Sequence, residues 1–297
     1  MATETAVADR ADTRAKTKKK APKAQGGTPW WMWIAVAAIV VFCLFPFYWL
    51  VNLSLKTGAD LGDSSLFPPH PTLDNYQSIF KNPDFTKSLR NSAAVALLTT
   101  FFSIMVGAFC AYALARLRIG GKSIMLAIVL TISTFPQIAI AAPLFKLWSD
   151  IGLFNTWTGL IIPYLTFALP LTIYILVSFF KEIPRDLEEA ALVDGATHFQ
   201  AFRKVVVPLA APGLATAAIL TFIGAWNEFL LAVTLTSSSK ARTVPAAIAF
   251  FTGATEHEVP FGSISAASVT ISVPLIIMVL LFQKRIVAGL TAGAVKG

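Results

Sequence analysis

Six long apolar stretches without Lys, Arg or Asp constrain this 297-residue chain more than any other feature. About 20 residues at 1.5 Å per residue cross the roughly 30 Å hydrocarbon core of a bilayer. The stretches are continuous rather than alternating, which indicates helices and not the strands of a membrane barrel. The sequence therefore predicts an all-α, polytopic membrane protein with six transmembrane helices. They cover residues 30–55, 91–115, 123–145, 156–180, 213–235 and 263–282.

The first stretch follows a basic segment, so a cleaved secretory signal is the alternative to a retained helix. The stretch is about twice as long as the apolar core of a signal peptide. Its aromatic residues Trp30, Trp31 and Trp33 are typical of a membrane-interface belt. We therefore expect a retained anchor.

The distribution of positive charge predicts the orientation in the membrane. Of the 24 Lys and Arg residues, 17 lie in the N-terminal tail, in the loops after the second and fourth stretches, and in the C-terminal tail. Cytoplasmic loops carry such an excess, so both termini of this multi-pass membrane protein are predicted to be cytoplasmic. This bias accounts for the net charge of +8 without nucleic-acid binding.

Composition divides the chain into three parts. Residues 1–28 are rich in Ala, Thr and Lys, and we expect a disordered basic tail that can touch anionic membrane lipid. Residues 29–283 form the predicted six-helix transmembrane domain, and residues 284–297 a cytoplasmic tail. The polar, proline-containing segment 56–90 is predicted to form an external cap.

The cytoplasmic loop 181–212 has the pattern of two short helices joined by a turn. Pro184 suits the first helical position, and Gly195 suits a left-handed stop. Thr197 and Gln200 have capping-box spacing for the second helix. Pro208, in the same loop, is predicted to interrupt that second helix.

One flank of the first loop helix is small and apolar, with Leu187, Ala190 and Ala191 at helical spacing and acidic residues around them. Such a face suits close docking of another protein. The alternative is an amphipathic helix lying on the membrane, but that type of helix is cationic with bulky apolar anchors. We therefore predict docking.

These residues resemble the EAA loop of permease subunits of bacterial ABC importers, although Val205 and Val207 stand where Ile and Leu are more usual. The resemblance implies that the first loop helix is a coupling helix held by a separate ATPase. The residues it assigns to this coupling are Glu189, Ala190, Ala191, Asp194, Gly195 and Pro208.

The resemblance extends from about residue 30 to the end and is to the shorter partner of the maltose-type carbohydrate permeases, among them the mycobacterial trehalose-importer permeases. The phrases DGATHFQAFRKVVVPLAAPGL, WNEFLLA and RIVAGLTAGAVKG carry it. It implies import of a sugar, a disaccharide such as trehalose, across the bacterial inner membrane. Its implied partners are a second homologous permease, an ATPase dimer that binds ATP and Mg, and a lipid-anchored extracytoplasmic solute-binding protein. It also implies that the terminal segment contacts the ATPase through Gly289, Thr291 and Lys296.

ATP chemistry is not expected in this chain itself. The run Gly120 to Ser123 reads GGKS, but a phosphate loop needs a glycine five positions before Gly121, where Arg116 stands. The three histidines are scattered singly, so no metal site is expected. We therefore predict a transport subunit without a cofactor, and no enzyme.

Glu228 is the only acidic residue inside an apolar stretch, where insertion of a charge costs about 2.5–3.5 kcal/mol. Trp226 and Asn227 precede it, and an aromatic ring, an amide and a carboxylate suit a polyhydroxylated ligand. Gln137, beside Pro136, is a second candidate for the translocation path. The alternative for these residues is structural: they hold helices together or satisfy carbonyls freed at a kink.

An ion-coupled secondary transporter and a membrane enzyme are the alternative functions for a chain with several membrane spans. An ion-coupled secondary transporter would need ionisable residues at broken helices, ideally in two related halves, and a membrane enzyme would need clustered acid, base or nucleophile. A single Glu without an evident internal repeat argues against the first, and the lack of such a cluster in the sequence argues against the second.

Overall fold

A computed structural model describes the backbone of residues 29–251 and 260–291, and side chains as far as Ile286. Contacts divide the chain into residues 1–48 and residues 49–297, and all packing described below lies within the second unit. The α-helices are α1 Trp30–Ser54, α2 Asp74–Lys81, α3 Pro83–Arg116, α4 Lys122–Ser133, α5 Gln137–Asp150, α6 Trp157–Glu182, α7 Arg185–Val193, α8 His198–Ala201, α9 Val207–Leu209, α10 Ala211–Trp226, α11 Leu230–Leu235, α12 Val244–Ile248 and α13 Phe261–Thr291.

Four of these helices, α1, α3, α6 and α13, are long and apolar enough to cross a membrane. Two further pairs qualify if each is one bent span: α4 with α5, bent by 80°, and the helical run His198–Leu209 with α10, bent by 75°. The described residues thus contain four to six candidate spans, and the predicted all-α polytopic class is confirmed.

Two of the predicted continuous spans are broken. The stretch 123–145 divides at Pro136, which has no amide hydrogen for a helix and restricts the residue before it. The stretch 213–235 divides because α10 ends at Trp226 and α11 begins only at Leu230. At this second break the carbonyl of Ile223 accepts both from the side-chain amide of Asn227 at 2.9 Å and from its backbone amide at 3.1 Å.

Helices α3, α6 and α10 pack together as the core of the bundle. Small residues allow the close approach: a Cβ added at Gly107 would lie 2.6 Å from a side-chain carbon of Thr172. The hydroxyls of Ser103 and Thr172 lie 2.8 Å apart, and those of Thr172 and Thr221 lie 2.9 Å apart. This buried chain of hydroxyls joins all three helices, a form of packing common inside membranes.

The end of α3 far from α7 is fixed to the loop before α12 by Asn91, which is fully buried. Its amide nitrogen donates to the carbonyls of Ser239 at 2.9 Å and Arg242 at 3.0 Å. Its amide oxygen accepts from the indole of Trp157 at 3.1 Å. One side chain thus joins α3, α6 and this loop.

The predicted cap segment 56–90 is only partly a loop. It contains α2 and the first two turns of α3, which begins at Pro83 rather than at residue 91. Lys56 is fully buried, and its ammonium donates to the carbonyls of Asp63 at 2.6 Å and Ser65 at 3.2 Å. The loop before α2 is therefore organised around a buried cation.

Candidate functional site

The loop 181–212 contains the two helices predicted for it, with small shifts. Pro184 precedes α7 as its N-cap, in an extended conformation, and is not the first helical residue. Gly195 has φ of 85°, so the predicted left-handed stop is present. Its amide donates to the carbonyl of Leu192 at 3.1 Å, and the amide of Ala196 donates to that of Ala191 at 3.0 Å. This turn fixes the direction in which the chain leaves α7.

The outward face of α7 is apolar with an acidic border. Val193 is 87% exposed and Leu187 46% exposed, with Ala190 also exposed. The exposed carboxyl-bearing residues Glu189 and Asp194 stand next to this patch. Since isolated exposed aliphatic side chains are ordinary but a patch with a polar rim marks an interaction surface, this face is suited to a protein partner.

The second helix of the loop begins with the predicted capping box. The amide of Gln200 donates to the hydroxyl of Thr197 at 3.2 Å, and the amide of Thr197 donates to the side-chain oxygen of Gln200 at 2.8 Å. Pro208 stands just after an irregularity in this helix but does not end it. A π-helical segment, Phe202–Val206, precedes it, and the sharp turn comes only at Ala210. The wider turn accommodates a proline that cannot donate to the preceding turn.

A buried contact fixes α7 to the end of α3. Glu188 is 8% exposed, and one of its carboxylate oxygens accepts a short hydrogen bond from the hydroxyl of Tyr112. Its other oxygen lies 3.4 Å from the guanidinium of Arg116. Arg116 also donates to the carbonyl of Ile183 at 2.8 Å, just before α7. The sequence did not indicate this contact, although the i, i+4 spacing of Tyr112 and Arg116 was an available signal.

A cavity of about 160 Å³ lies between the broken α4–α5 span and helices α6 and α10. Gln137 and Glu228, the two candidates predicted from separate stretches, both line it. The other lining residues are Tyr164, Phe167, Ala168, Leu171, Leu220, Thr221, Gly224 and Ala225. The cavity thus combines apolar walls with four polar side chains, the composition of a ligand pocket.

Glu228 occupies the break between α10 and α11 and caps α11. Its two carboxylate oxygens accept from the amides of Leu231 at 2.8 Å and Ala232 at 3.0 Å. The buried hydroxyl of Tyr164 lies close to this carboxylate without a hydrogen bond of standard geometry to it. Tyr164 escaped the sequence reasoning because a single Tyr in an apolar stretch is usually part of the core.

Trp226 and Asn227 do not share this cavity. The indole of Trp226 is buried, stacks on Phe222 at 5.6 Å between ring centroids, and donates to the carbonyl of Ile271 in α13 at 3.3 Å. Asn227 is exposed and bonds its own helix. The indole of Trp226, the amide of Asn227 and the carboxylate of Glu228 were expected to form one ligand site. They lie in three different surroundings instead.

The predicted tail contacts are only partly within the described residues. Gly289 and Thr291 lie in the last turns of α13, which continues to Thr291. Lys296 lies outside the described residues.

Comparison with protein families shows which family this chain belongs to. The family model described as binding-protein-dependent transport system inner membrane component matches residues 103–291. The chain belongs to this family. The chain is therefore a transport component, the permease subunit of an ABC importer, and the predicted membership of this class is confirmed.

Individual relatives and solved structures agree with this assignment. The chain is 53% identical over 266 residues to the trehalose transport system permease protein SugB of Mycobacterium tuberculosis, covering 89% of this chain and 97% of that protein. It is 41% identical, over 89% of this chain and 95% of the relative, to the trehalose/maltose transport system permease protein MalG of Thermococcus litoralis. A bacterial ABC transporter involved in the import of the acidic polysaccharide alginate shares the fold, with a TM-score of 0.72, 24% identity and coverage of 84% and 93%. The alternative of an ion-coupled secondary transporter finds no support among these relatives.

Proposed function

We propose that this permease moves a disaccharide of the trehalose type into the cytoplasm. The observation that carries the proposal is the 53% identity to a permease named for trehalose transport, over 97% of that relative's length. A second relative is named for trehalose and maltose together. A third, of Agrobacterium fabrum, is 45% identical and named for sulfoquinovosyl glycerol, so glycosides are the shared substrate class.

The sugar path runs, in this proposal, along the cavity between Gln137 and Glu228. Polar groups on an apolar wall suit a ligand that has hydroxyls at its edge and carbon–hydrogen faces. The volume of about 160 Å³ is below the roughly 300–1,000 Å³ of ordinary ligand sites. This size favours a path that a second, homologous permease subunit completes.

Helix α7 is the proposed contact with the ATPase. Its exposed patch consists of Leu187, Ala190 and Val193. The central side chain, Ala190, is small, so a cleft of the partner can approach the helix backbone closely. The bordering Glu189 and Asp194 offer acceptors to basic groups of that cleft. A capped helix joined to two membrane spans transmits displacement as a rigid element.

The proposed assembly contains this chain, a second permease, two ATPase subunits that bind ATP and Mg, and an extracytoplasmic lipid-anchored solute-binding protein. A solved alginate transporter in complex with a periplasmic protein shares the fold, with a TM-score of 0.59 and 18% identity over 84% of this chain and 92% of that one. That likeness supports the fold, and the family description supports dependence on a binding protein.

Uptake by the reconstituted importer tests the substrate. We expect proteoliposomes with all four kinds of subunit to accumulate labelled trehalose only when ATP and Mg are inside and binding protein is outside. Sucrose, with the same mass, serves as the matched control. Equal accumulation of both sugars would refute the trehalose assignment, and accumulation driven by an ion gradient without ATP would refute the ABC mechanism.

Topology gives a second prediction. Because positive charge is concentrated on one side, single cysteines at residues 20 and 297 of a Cys-free variant should react with an impermeant maleimide only after the membrane is opened. A cysteine at residue 63, in the loop before α2, should react in intact cells. Labelling of residue 20 or 297 from outside would contradict the proposed cytoplasmic termini.

A further inference from the structure

The buried contact between α3 and α7 involves two residues of α3, Tyr112 and Arg116. Tyr112 and Arg116 are four residues apart and therefore lie on one face of α3. Tyr112 reaches the α7 side chain Glu188, and Arg116 reaches both Glu188 and the carbonyl of Ile183. One face of α3 thus holds the joint before α7 and α7 itself.

The same face also holds the chain that leaves α7. The ring of Tyr112 packs against Phe202 at 4.8 Å between centroids, and Phe202 opens the π-helical segment. Phe180 of α6 meets Phe202 edge-to-face at 6.4 Å. The entry, body and exit of the α7 loop are therefore fixed to the end of α3.

Burial makes this contact costly to leave unpaired. Glu188 is 8% exposed and the side chain of Arg116 5% exposed. A carboxylate in this position without its partners would be a buried, uncompensated charge. By contrast, Glu189, the next residue, is exposed. The two adjacent acids therefore face in different directions, one inward to α3 and one outward.

Helix α3 extends this contact across the bundle. It has 34 residues, about 51 Å at 1.5 Å per residue, and Asn91 near its other end holds the loop before α12. We infer that Tyr112 and Arg116 are positioning residues that, through Glu188, fix α7 to α3, so that displacement of α7 by the ATPase moves α3 and the loop at its far end. This inference rests on the proposed coupling role of α7.

The test measures sugar imported per ATP hydrolysed in the reconstituted importer. Tyr112→Phe removes one hydroxyl, and Glu188→Gln removes the charge. We expect each to lower this ratio by about fivefold or more, within the usual range of coupling between sites, while ATP hydrolysis continues. The double variant should be no worse than Glu188→Gln alone, because both changes remove one contact. Glu188→Asp, which keeps the charge, should regain part of the ratio.

Tyr174→Phe and Glu182→Gln are the matched controls, since both residues are exposed at α6, and they should keep the wild-type ratio. Equal copurification of the ATPase with every variant shows that assembly is intact; if Glu188→Gln does not assemble, Tyr112→Phe alone decides. Wild-type ratios in the Tyr112 and Glu188 variants would overturn the inference. A wild-type importer without ATP-driven uptake would instead overturn the proposed function.

Discussion

Gly195→Val is expected to reduce sugar uptake at least tenfold in an importer that still inserts and still contains its ATPase. Gly195 has φ of 85°, a conformation that costs a residue with a side chain roughly 1–2 kcal/mol and a β-branched residue more. A Cβ there would meet no atom within 4 Å, so the defect comes from the backbone and not from a clash. The turn should rearrange and change the angle at which α7 meets the ATPase. Uptake, ATP hydrolysis and ATPase copurification are the measurements.

Gly121→Val is the matched control. Gly121 has φ of 76°, again with no atom within 4 Å of an added Cβ, but it lies in the turn before α4. The backbone penalty is therefore similar at both glycines, whereas only Gly195 sets the direction of α7. We expect Gly121→Val to keep coupled transport. Equal loss in both variants would show general destabilisation, and full coupling in Gly195→Val would show that loop 181–212 is only a connector.

Bulk on the exposed face tests the same surface without backbone strain. Ala190 lies at the centre of the α7 patch, so Ala190→Trp should hold the ATPase away and lower its copurification as well as uptake. Normal assembly and uptake with Ala190→Trp would place the docking surface elsewhere.

The sequence was sufficient for features that depend on local chemistry. Long apolar runs without Lys, Arg or Asp predicted the all-α membrane class, and Gly195 with the Thr197–Gln200 pair predicted the turn and the cap of the α7 loop. These signals are local because lipid-spanning length, positive φ and capping are decided within a few residues. The spacing of the EAA residues was equally local and led to the family.

Contacts between distant parts of the chain were beyond the sequence. Nothing local shows that Glu188 faces Tyr112, 76 residues away, while Glu189 faces outward. The break at Glu228 was missed for a related reason, because hydropathy does not distinguish one helix from two helices capped at their junction. Gln137 and Glu228 were proposed separately, and only the fold brings them to one cavity.

Glu228→Ala is expected to lower uptake about tenfold or more and to lower the amount of assembled importer by less. The carboxylate accepts from the amides of Leu231 and Ala232 and also lines the cavity shared with Gln137. Its removal leaves two partly buried amides without an acceptor, at about 1–3 kcal/mol each, and it takes a polar group from the proposed sugar path. Uptake is measured at equal amounts of assembled importer, so that lost protein does not count as lost transport.

Glu228→Gln separates the two roles of this side chain. Its single amide oxygen can still accept from one of the two amides of α11, so half of the cap is kept while the charge is lost. If the carboxylate contacts sugar hydroxyls, Glu228→Gln should raise the sugar concentration needed for half-maximal uptake, because charge-assisted hydrogen bonds are roughly twice as strong as neutral ones. Thr234→Val, in the same short helix α11, removes a hydroxyl that, among the described residues, bonds only to the carbonyl of Leu230, and it should transport normally. Normal uptake by both Glu228 variants would leave Glu228 as a helix cap alone, and the sugar path would then have to lie outside this cavity.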